Sequence, residues 1–271
     1  MSKLIAIDNG HGYNTAGKRV PDGSMREWEF NYATAKYLKA ELENNNFRTL
    51  MVSDTRDDTP LATRASRINN AKADMSISIH ANANTGTWGS ANGIETFAYS
   101  TTSKGNAIAK LVQAELIKDT GLRDRGVKYN SLYMTRQPSC PAILVECGFM
   151  DNKTEATLLK SDDYRRKCAK AMCKAICKYY GVAYKSPSQN QQSTPITNNN
   201  NNNFKPYLAK CNANNLNCRK GAGTSYAVER QINKGTVVTI VEEKMVNGVK
   251  WGRAKSNYWI SLSYMTFVRY V

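Results

Sequence analysis

Residues 141–149 read Pro141-Ala142-Ile143-Leu144-Val145-Glu146-Cys147-Gly148-Phe149. Four apolar residues in a row, Ala142–Val145, suit a short strand in the middle of a sheet that is covered on both faces. An acidic residue closes the run. Two other apolar runs end in the same way. Ile5-Ala6-Ile7 is followed by Asp8-Asn9-Gly10-His11-Gly12, and Ser76-Ile77-Ser78-Ile79 by His80-Ala81-Asn82-Ala83. Between such runs the period changes from two to 3.6. Arg26–Glu43 carries Trp28, Tyr32, Ala35, Leu38 and Leu42 at helical spacing and stops at Asn44-Asn45-Asn46. Helices are also expected over Leu61–Ala71, Ser103–Lys118 and Tyr164–Tyr180, and strands over Lys3–Ile7, Phe47–Val52, Met75–Ile79 and Ile94–Tyr99. This alternation predicts an α/β domain with a mostly parallel sheet flanked by helices.

Past residue 184 the pattern breaks. Lys185–Asn203 reads KSPSQNQQSTPITNNNNNN, with two prolines, no hydrophobic period and six closing asparagines. Such composition cannot bury enough surface to offset its ordering entropy, so 185–204 is expected to be a flexible linker. Short β-branched or aromatic runs follow at Tyr207–Lys210, Asn215–Arg219, Val237–Glu242, Lys250–Ala254 and Tyr258–Ser261. They are separated by Asn and Gly turns and predict a small all-β barrel over 205–271.

The 271 residues carry 38 Lys+Arg against 22 Asp+Glu, a net charge of +16. The charge points to a polyanionic partner: nucleic acid, an anionic membrane surface or cell-wall polymers. Residues 1–185 hold 27 basic and 19 acidic residues, and 186–271 hold 11 and 3, so each part carries +8 and the shorter part is about twice as densely charged. No apolar run approaches the ~20 residues needed to span a bilayer. Only four apolar residues separate Lys3 from Asp8, against roughly 7–15 in a secretory signal. The expectation is synthesis in the cytoplasm without a signal peptide. The seven cysteines, at 140, 147, 168, 173, 177, 211 and 218, form no CxxC pair. Cys168, Cys173 and Cys177 sit among Ala171, Met172, Ala175 and Ile176, and are read as small buried hydrophobes rather than as metal ligands.

The sequence contains two histidines, His11 and His80. A single histidine at a strand end is ordinarily structural. Here both stand at strand ends, with Glu146 at a third, and ligands of open α/β sheets gather beyond the carboxyl ends of strands. That combination points to a metal site. A catalytic zinc takes three protein ligands, often two His and one carboxylate, and keeps one position open. Glu27, at the start of the first helix, is a candidate third ligand; Glu29, Asp22 and Asp8 compete with it. Asp8 is alternatively a group that orients a ligand histidine, or a turn former. Arg56, Arg64 and Arg67 precede the His80 strand and read as substrate-carboxylate binders or, more simply, as surface charges and internal salt bridges.

The ordered blocks carry a resemblance. Ile5-Ala6-Ile7-Asp8-x-Gly10-His11-Gly12 is followed by Glu27-x-x-x-Asn31, then Leu61-x-x-Arg64-x-x-x-Ile68-Asn69-x-x-x-Ala73-Asp74. Ser78-Ile79-His80-Ala81-Asn82-Ala83 and Val145-Glu146-x-Gly148-Phe149 with Asp151-Asn152 complete the set. Over about residues 2–182 this resembles the zinc-dependent N-acetylmuramoyl-L-alanine amidases of the Amidase_3 type. The resemblance implies zinc held by His11, Glu27 and His80, with Glu146 as the catalytic glutamate. Asn9 and Cys147 depart from the residues more usual at those positions. Residues 205–271 resemble bacterial SH3-like (SH3b) wall-binding modules. The matching stretches are Leu216-Asn217-Cys218-Arg219-Lys220-Gly221-Ala222-Gly223-Thr224-Ser225-Tyr226, Lys234-Gly235-Thr236-Val237-Val238, Asn247-Gly248-x-x-Trp251-Gly252-Arg253, Tyr258-Trp259-Ile260 and Tyr264-Met265. Cys218 replaces the usual Val. Core packing is the simpler role for at least one of Trp251 and Trp259.

Together these resemblances imply a peptidoglycan hydrolase acting on the cell wall of Gram-positive bacteria, with no nucleic-acid partner and no membrane insertion. A phage endolysin, made in the host cytoplasm and released to the wall, is the expected role. A sporulation or mother-cell autolysin is the alternative with the same chemistry. A non-enzymatic wall adhesin or a basic nucleic-acid binder fits the charge, but neither needs two histidines and a glutamate at strand ends.

Overall fold

The computed structural model describes residues 2–186, 204–224, 226–246 and 249–271. The expected linker lies almost wholly on 187–203, outside the described residues. The chain divides into two compact units, Met1–Pro187 and Ser188–Val271.

In the first unit the strands are β1 (Leu4–Asn9), β2 (Arg48–Met51), β3 (Met75–Asn82), β4 (Ile94–Ala98), β5 (Asp124–Tyr129) and β6 (Ala142–Phe149). The helices are α1 (Glu27–Asn44), α2 (Leu61–Asn70), α3 (Asn106–Thr120), α4 (Tyr133–Arg136), α5 (Lys153–Leu159) and α6 (Asp162–Tyr179). The strands form one sheet in the order β2-β1-β3-β6-β4-β5. Strands β2, β1, β3 and β6 are mutually parallel, whereas β4 runs antiparallel to β6 and β5 parallel to β4. The reversal has a simple cause. The chain reaches β4 from the carboxyl end of β3 through a helix-free connection, so it must run back; α3 then supplies the crossover that lets β5 lie parallel to β4.

Alternation along the strands divides the sheet into two unlike faces. On one, Ile5, Ile7, Ile77, Ile79, Ile94, Ile143 and Val145 pack with residues of the three long helices α1, α3 and α6, such as Phe30, Leu38, Val112, Met172 and Ile176. The other face has only a small cluster, Leu4, Ala6, Val52, Ile68, Ala73 and Met134, beneath α2 and α4. Near the carboxyl ends of β3 and β6 that second face is left to polar side chains. Cys168, Cys173 and Cys177 are free thiols buried among the helices.

The second unit is a seven-stranded, wholly antiparallel sheet. Its strands are β7 (Tyr207–Cys211), β8 (Leu216–Arg219), β9 (Val228–Ile232), β10 (Val237–Val246), β11 (Val249–Ala254), β12 (Trp259–Ser261) and β13 (Met265–Tyr270). Their order is β13-β7-β10-β11-β12-β8-β9. This arrangement is consistent with an SH3-like barrel. The core is small: Cys211, Cys218, Ile232, Ala254, Tyr258 and Ile260. Cys218 thus fills an interior position where a compact apolar side chain is required. Trp251 is buried and Trp259 half-buried.

Candidate metal centre

Three residues from three segments converge at the carboxyl-terminal ends of β1 and β3. His11 follows β1, Glu27 is the first residue of α1, and His80 lies on β3. One ligand atom from each falls within 4.8 Å of the other two. The two imidazoles meet edge to face, with ring centroids 4.8 Å apart and planes at 88°.

Local sequence explains the convergence. The Gly10 N–H donates to the Ile79 carbonyl (3.0 Å), which locks the end of β1 to β3. A β-carbon at Gly10 would lie 2.0 Å from His80 Cε1, so only glycine allows the imidazole to rest there. His11 has φ of 60°, an uncommon left-handed conformation for a side-chain-bearing residue; such strain costs about 1–3 kcal/mol and is found at functional sites. At Gly12 a β-carbon would come within 2.3 Å of the Asp58 nitrogen, so glycine is needed for the 57–58 segment to pass.

Glu27 is almost completely buried. Its Oε1 lies 2.9 Å from His80 Nδ1 and accepts hydrogen bonds from the Ala81 N–H and Asn31 Nδ2, both at 3.2 Å. Its Oε2 is 3.4 Å from His11 Nε2 and has no hydrogen-bond partner among the described residues. A buried carboxylate oxygen between two imidazoles suits a cation. Asn31, one turn further along α1, also donates to the Gly10 carbonyl (3.0 Å) and so ties the helix to the His11 turn. The other acids are engaged elsewhere. Glu29 accepts the Arg26 N–H, Asp22 accepts the Ser24 N–H, and Asp8 accepts from Arg64 Nη1 (2.7 Å) and Ser78 Oγ (2.6 Å).

The electrostatics follow from this packing. Burial alone would raise the Glu27 carboxyl, but the hydrogen bond and charge of His80, then the charge of His11, outweigh it and hold the group at about 2. Burial drives the His11 imidazole down to about 4 against the attraction of Glu27. Burial also opposes protonation of His80, yet the Glu27 hydrogen bond and charge carry it above its ordinary value. Glu146 is in register with His80 across β3 and β6. Burial pushes its carboxyl up to about 8, with the charge of Glu27 adding and that of His80 opposing.

Arg64 supports the turn from behind. It is 1% exposed, and its guanidinium donates to Asp8 Oδ1, the Asn9 carbonyl (both 2.7 Å), the His11 carbonyl (3.1 Å), Asp58 Oδ1 (3.0 Å) and the Thr59 carbonyl (2.7 Å). It is an internal salt bridge, not a substrate contact. The possible orienting role of Asp8 is corrected by the same bonds: its carboxylate is bound to Arg64 and Ser78, and neither histidine is its partner. Arg67 donates to the Val52 carbonyl, and exposed Arg56 lies 3.7 Å from the Tyr13 ring centroid. Asp151 Oδ2 accepts the N–H groups of Asn84, Thr85 and Gly86 and so fastens the loop after His80. A cavity of about 270 Å³, lined in part by Gly10, His11, Pro60, Leu61 and His80, opens onto the cluster.

The model of one family, the N-acetylmuramoyl-L-alanine amidases (Amidase_3), matches residues 5–178. The chain belongs to that amidase family. It is 35% identical over 184 residues to the N-acetylmuramoyl-L-alanine amidase LytC of Bacillus subtilis, covering 66% of this chain but only 36% of LytC. With the endolysin of Bacillus phage SPP1 it shares 29% identity over 280 residues, covering 96% of each chain. Among solved structures, an N-acetylmuramoyl-L-alanine amidase from Clostridium difficile 630 matches 66% of this chain and 97% of its own, with a TM-score of 0.63 and 28% identity. The amidase match takes in His11, Glu27, His80 and Glu146, and ends before the second unit.

The sequence blocks mark the residues the fold brings together, but not how they are held. Asn31 and Arg64 were visible only as positions in a pattern. Their hydrogen bonds to main-chain carbonyls of the His11 turn have no one-dimensional signature.

Proposed function

We propose that the chain is a zinc-dependent N-acetylmuramoyl-L-alanine amidase that cleaves the amide between the lactyl group of N-acetylmuramic acid and the first L-alanine of the stem peptide. The observation that carries this reading is the His11–Glu27–His80 cluster with Glu146 beside it, within the family match. Two imidazoles and a carboxylate are a common ligand set of catalytic zinc. Zinc would supply Lewis acidity toward the amide carbonyl and the attacking water. Glu146 accepts a proton from that water and passes it to the leaving amine. Its Oε2 is buried with no hydrogen-bond partner among the described residues, and Glu146 is not one of the three cluster ligands. Asn31 and Arg64 keep the cluster in place.

The second unit is read as an SH3b module that holds the enzyme on peptidoglycan and its associated polymers, and the dense positive charge of residues 186–271 supports this. The endolysin role is favoured over an autolysin because the likeness to the SPP1 endolysin runs across both units, whereas that to LytC is confined to about two thirds of the chain. The test is turbidity loss of purified Gram-positive walls by the full chain. Lysis is expected, abolished by a chelator and restored by zinc. No lysis at any zinc concentration contradicts the reading.

A further inference from the structure

The polar face at the carboxyl end of β3 and β6 continues past Glu146. Glu95 on β4 is the direct cross-strand partner of Glu146, so His80, Glu146 and Glu95 form a row across three adjacent strands. Glu95 is 6% exposed. Its Oε1 accepts from Asn82 Nδ2 (2.8 Å), and its Oε2 pairs with Arg125 Nε (2.7 Å).

The way Arg125 reaches this row is specific. The β4–β5 register skips between Ile94 and Thr96, so Arg125 and Gly126 together stand opposite Glu95. Gly126 has φ of 78°. This is a bulge, a device that re-aims a side chain and occurs beside active sites. Gly93 makes room for it: a β-carbon there would come within 2.5 Å of the Arg123 carbonyl and 3.1 Å of Arg125 Cγ. The guanidinium then lies 4.8 Å from the centroid of the Phe149 ring at the end of β6. Nη1 reaches only the Asn92 carbonyl, at 3.4 Å, and Nη2 has no hydrogen-bond partner among the described residues. The side chain remains 29% exposed. Glu95 thus fixes the Nε side of the planar fork, the Phe149 ring lies against the guanidinium, and Nη2 is open to a planar anion.

We propose that Arg125 binds a carboxylate of the stem peptide and that Glu95 is the positioning residue that orients it. This rests on the amidase reading and extends it to substrate selection. From β3 to β4 is two strand spacings, about 10 Å, or about three residues of extended peptide. The free carboxylates of the second and third stem residues fall in that range.

The test is steady-state kinetics of the full chain on soluble N-acetylmuramoyl tripeptides. One substrate keeps both carboxylates, a second has that of residue two converted to the amide, and a third has that of residue three so converted. The wild type is expected to prefer the carboxylate form over one of the amidated forms by roughly tenfold or more in kcat/KM, the scale of one charge-assisted hydrogen bond. The preferred position identifies the carboxylate bound. Arg125→Gln should remove that preference mainly through KM, bringing kcat/KM for the carboxylate form down towards that of the discriminated amidated form, and Arg125→Lys should restore part of it. Glu95→Gln should weaken the preference while the thermal unfolding midpoint stays near that of the wild type. An active wild type without preference, or an Arg125→Gln enzyme impaired equally on all three substrates, overturns the proposal while leaving the amidase reading intact. A wild type that cleaves none of them overturns both.

Discussion

His80 and Glu146 stand directly opposite each other on adjacent parallel strands, with their side chains on the same face of the sheet. This register sets a carboxyl group beside the His11–Glu27–His80 cluster without making it a member. Glu146→Gln keeps the shape and removes the proposed proton acceptor. The variant should bind zinc stoichiometrically and lose about 10²–10⁴-fold in amide cleavage, the usual range for a general base. Metal analysis and a muropeptide cleavage assay on the same preparation check both halves.

Gly10 makes a different prediction, because its constraint is steric. A β-carbon would lie within 2.5 Å of three His80 ring atoms, and the Gly10 N–H bond to Ile79 prevents the backbone from yielding. Gly10→Ala should therefore displace the imidazole, weaken zinc binding at least tenfold, a typical cost of disturbing a ligand's surroundings, and leave the circular dichroism spectrum unchanged. Competition against a chromogenic chelator measures the affinity. Wild-type affinity would show that His80 does not need its observed position.

Arg64 predicts stability rather than chemistry. Arg64→Ala leaves the Asp8 carboxylate buried beside an empty space, and breaking a buried ion pair in this way costs about 3–5 kcal/mol. Arg64→Lys should recover little, because an ammonium cannot reproduce five fixed donors directed to Asp8, Asp58 and three carbonyls. Denaturant unfolding of the full chain, followed by far-ultraviolet circular dichroism, reads the loss.

Glu27 ties the protonation of His80 to folding. In the metal-free protein its hydrogen bond and charge raise the His80 pKa above the ordinary 6.5 despite burial. The folded state then binds that proton more tightly than the unfolded state. The resulting stability is present below pH 6.5 and fades as pH rises through the raised value. In Glu27→Gln burial acts with less opposition, so the His80 pKa should fall. NMR titration of the metal-free variant checks the sign, and an unchanged or higher value contradicts the pairing.

Much of the first unit was legible because its elements carry strong periods. The Ala142–Val145 run announces a buried strand directly, and of the α1 positions read at helical spacing Ala35, Leu38 and Leu42 are buried, whereas Trp28 and Tyr32 are only half-buried because the core face is centred on Phe30 instead. Strand β5 was not legible: Asp124-Arg125-Gly126-Val127-Lys128-Tyr129 is an edge strand with polar, half-exposed side chains and a bulge, so neither alternation nor an apolar run marks it. Helices α4 and α5 were missed for their brevity, at four and seven residues. The reversed direction of β4 follows from its connection, a property of topology that residue types do not encode. In the site, His11, His80 and Glu146 were marked by scarcity and by their strand ends. The choice among Glu27, Glu29, Asp22 and Asp8 required three-dimensional partners or a family pattern.

The most direct measurement is mass spectrometry of the products formed from a purified, defined muropeptide by the zinc-loaded full chain. The predicted result is a glycan fragment ending in the free lactyl carboxyl group and a stem peptide with a free L-alanine amino terminus, both absent after Glu146→Gln. Products cut instead within the glycan or at another peptide bond, or an unaltered yield from Glu146→Gln, would contradict the assignment.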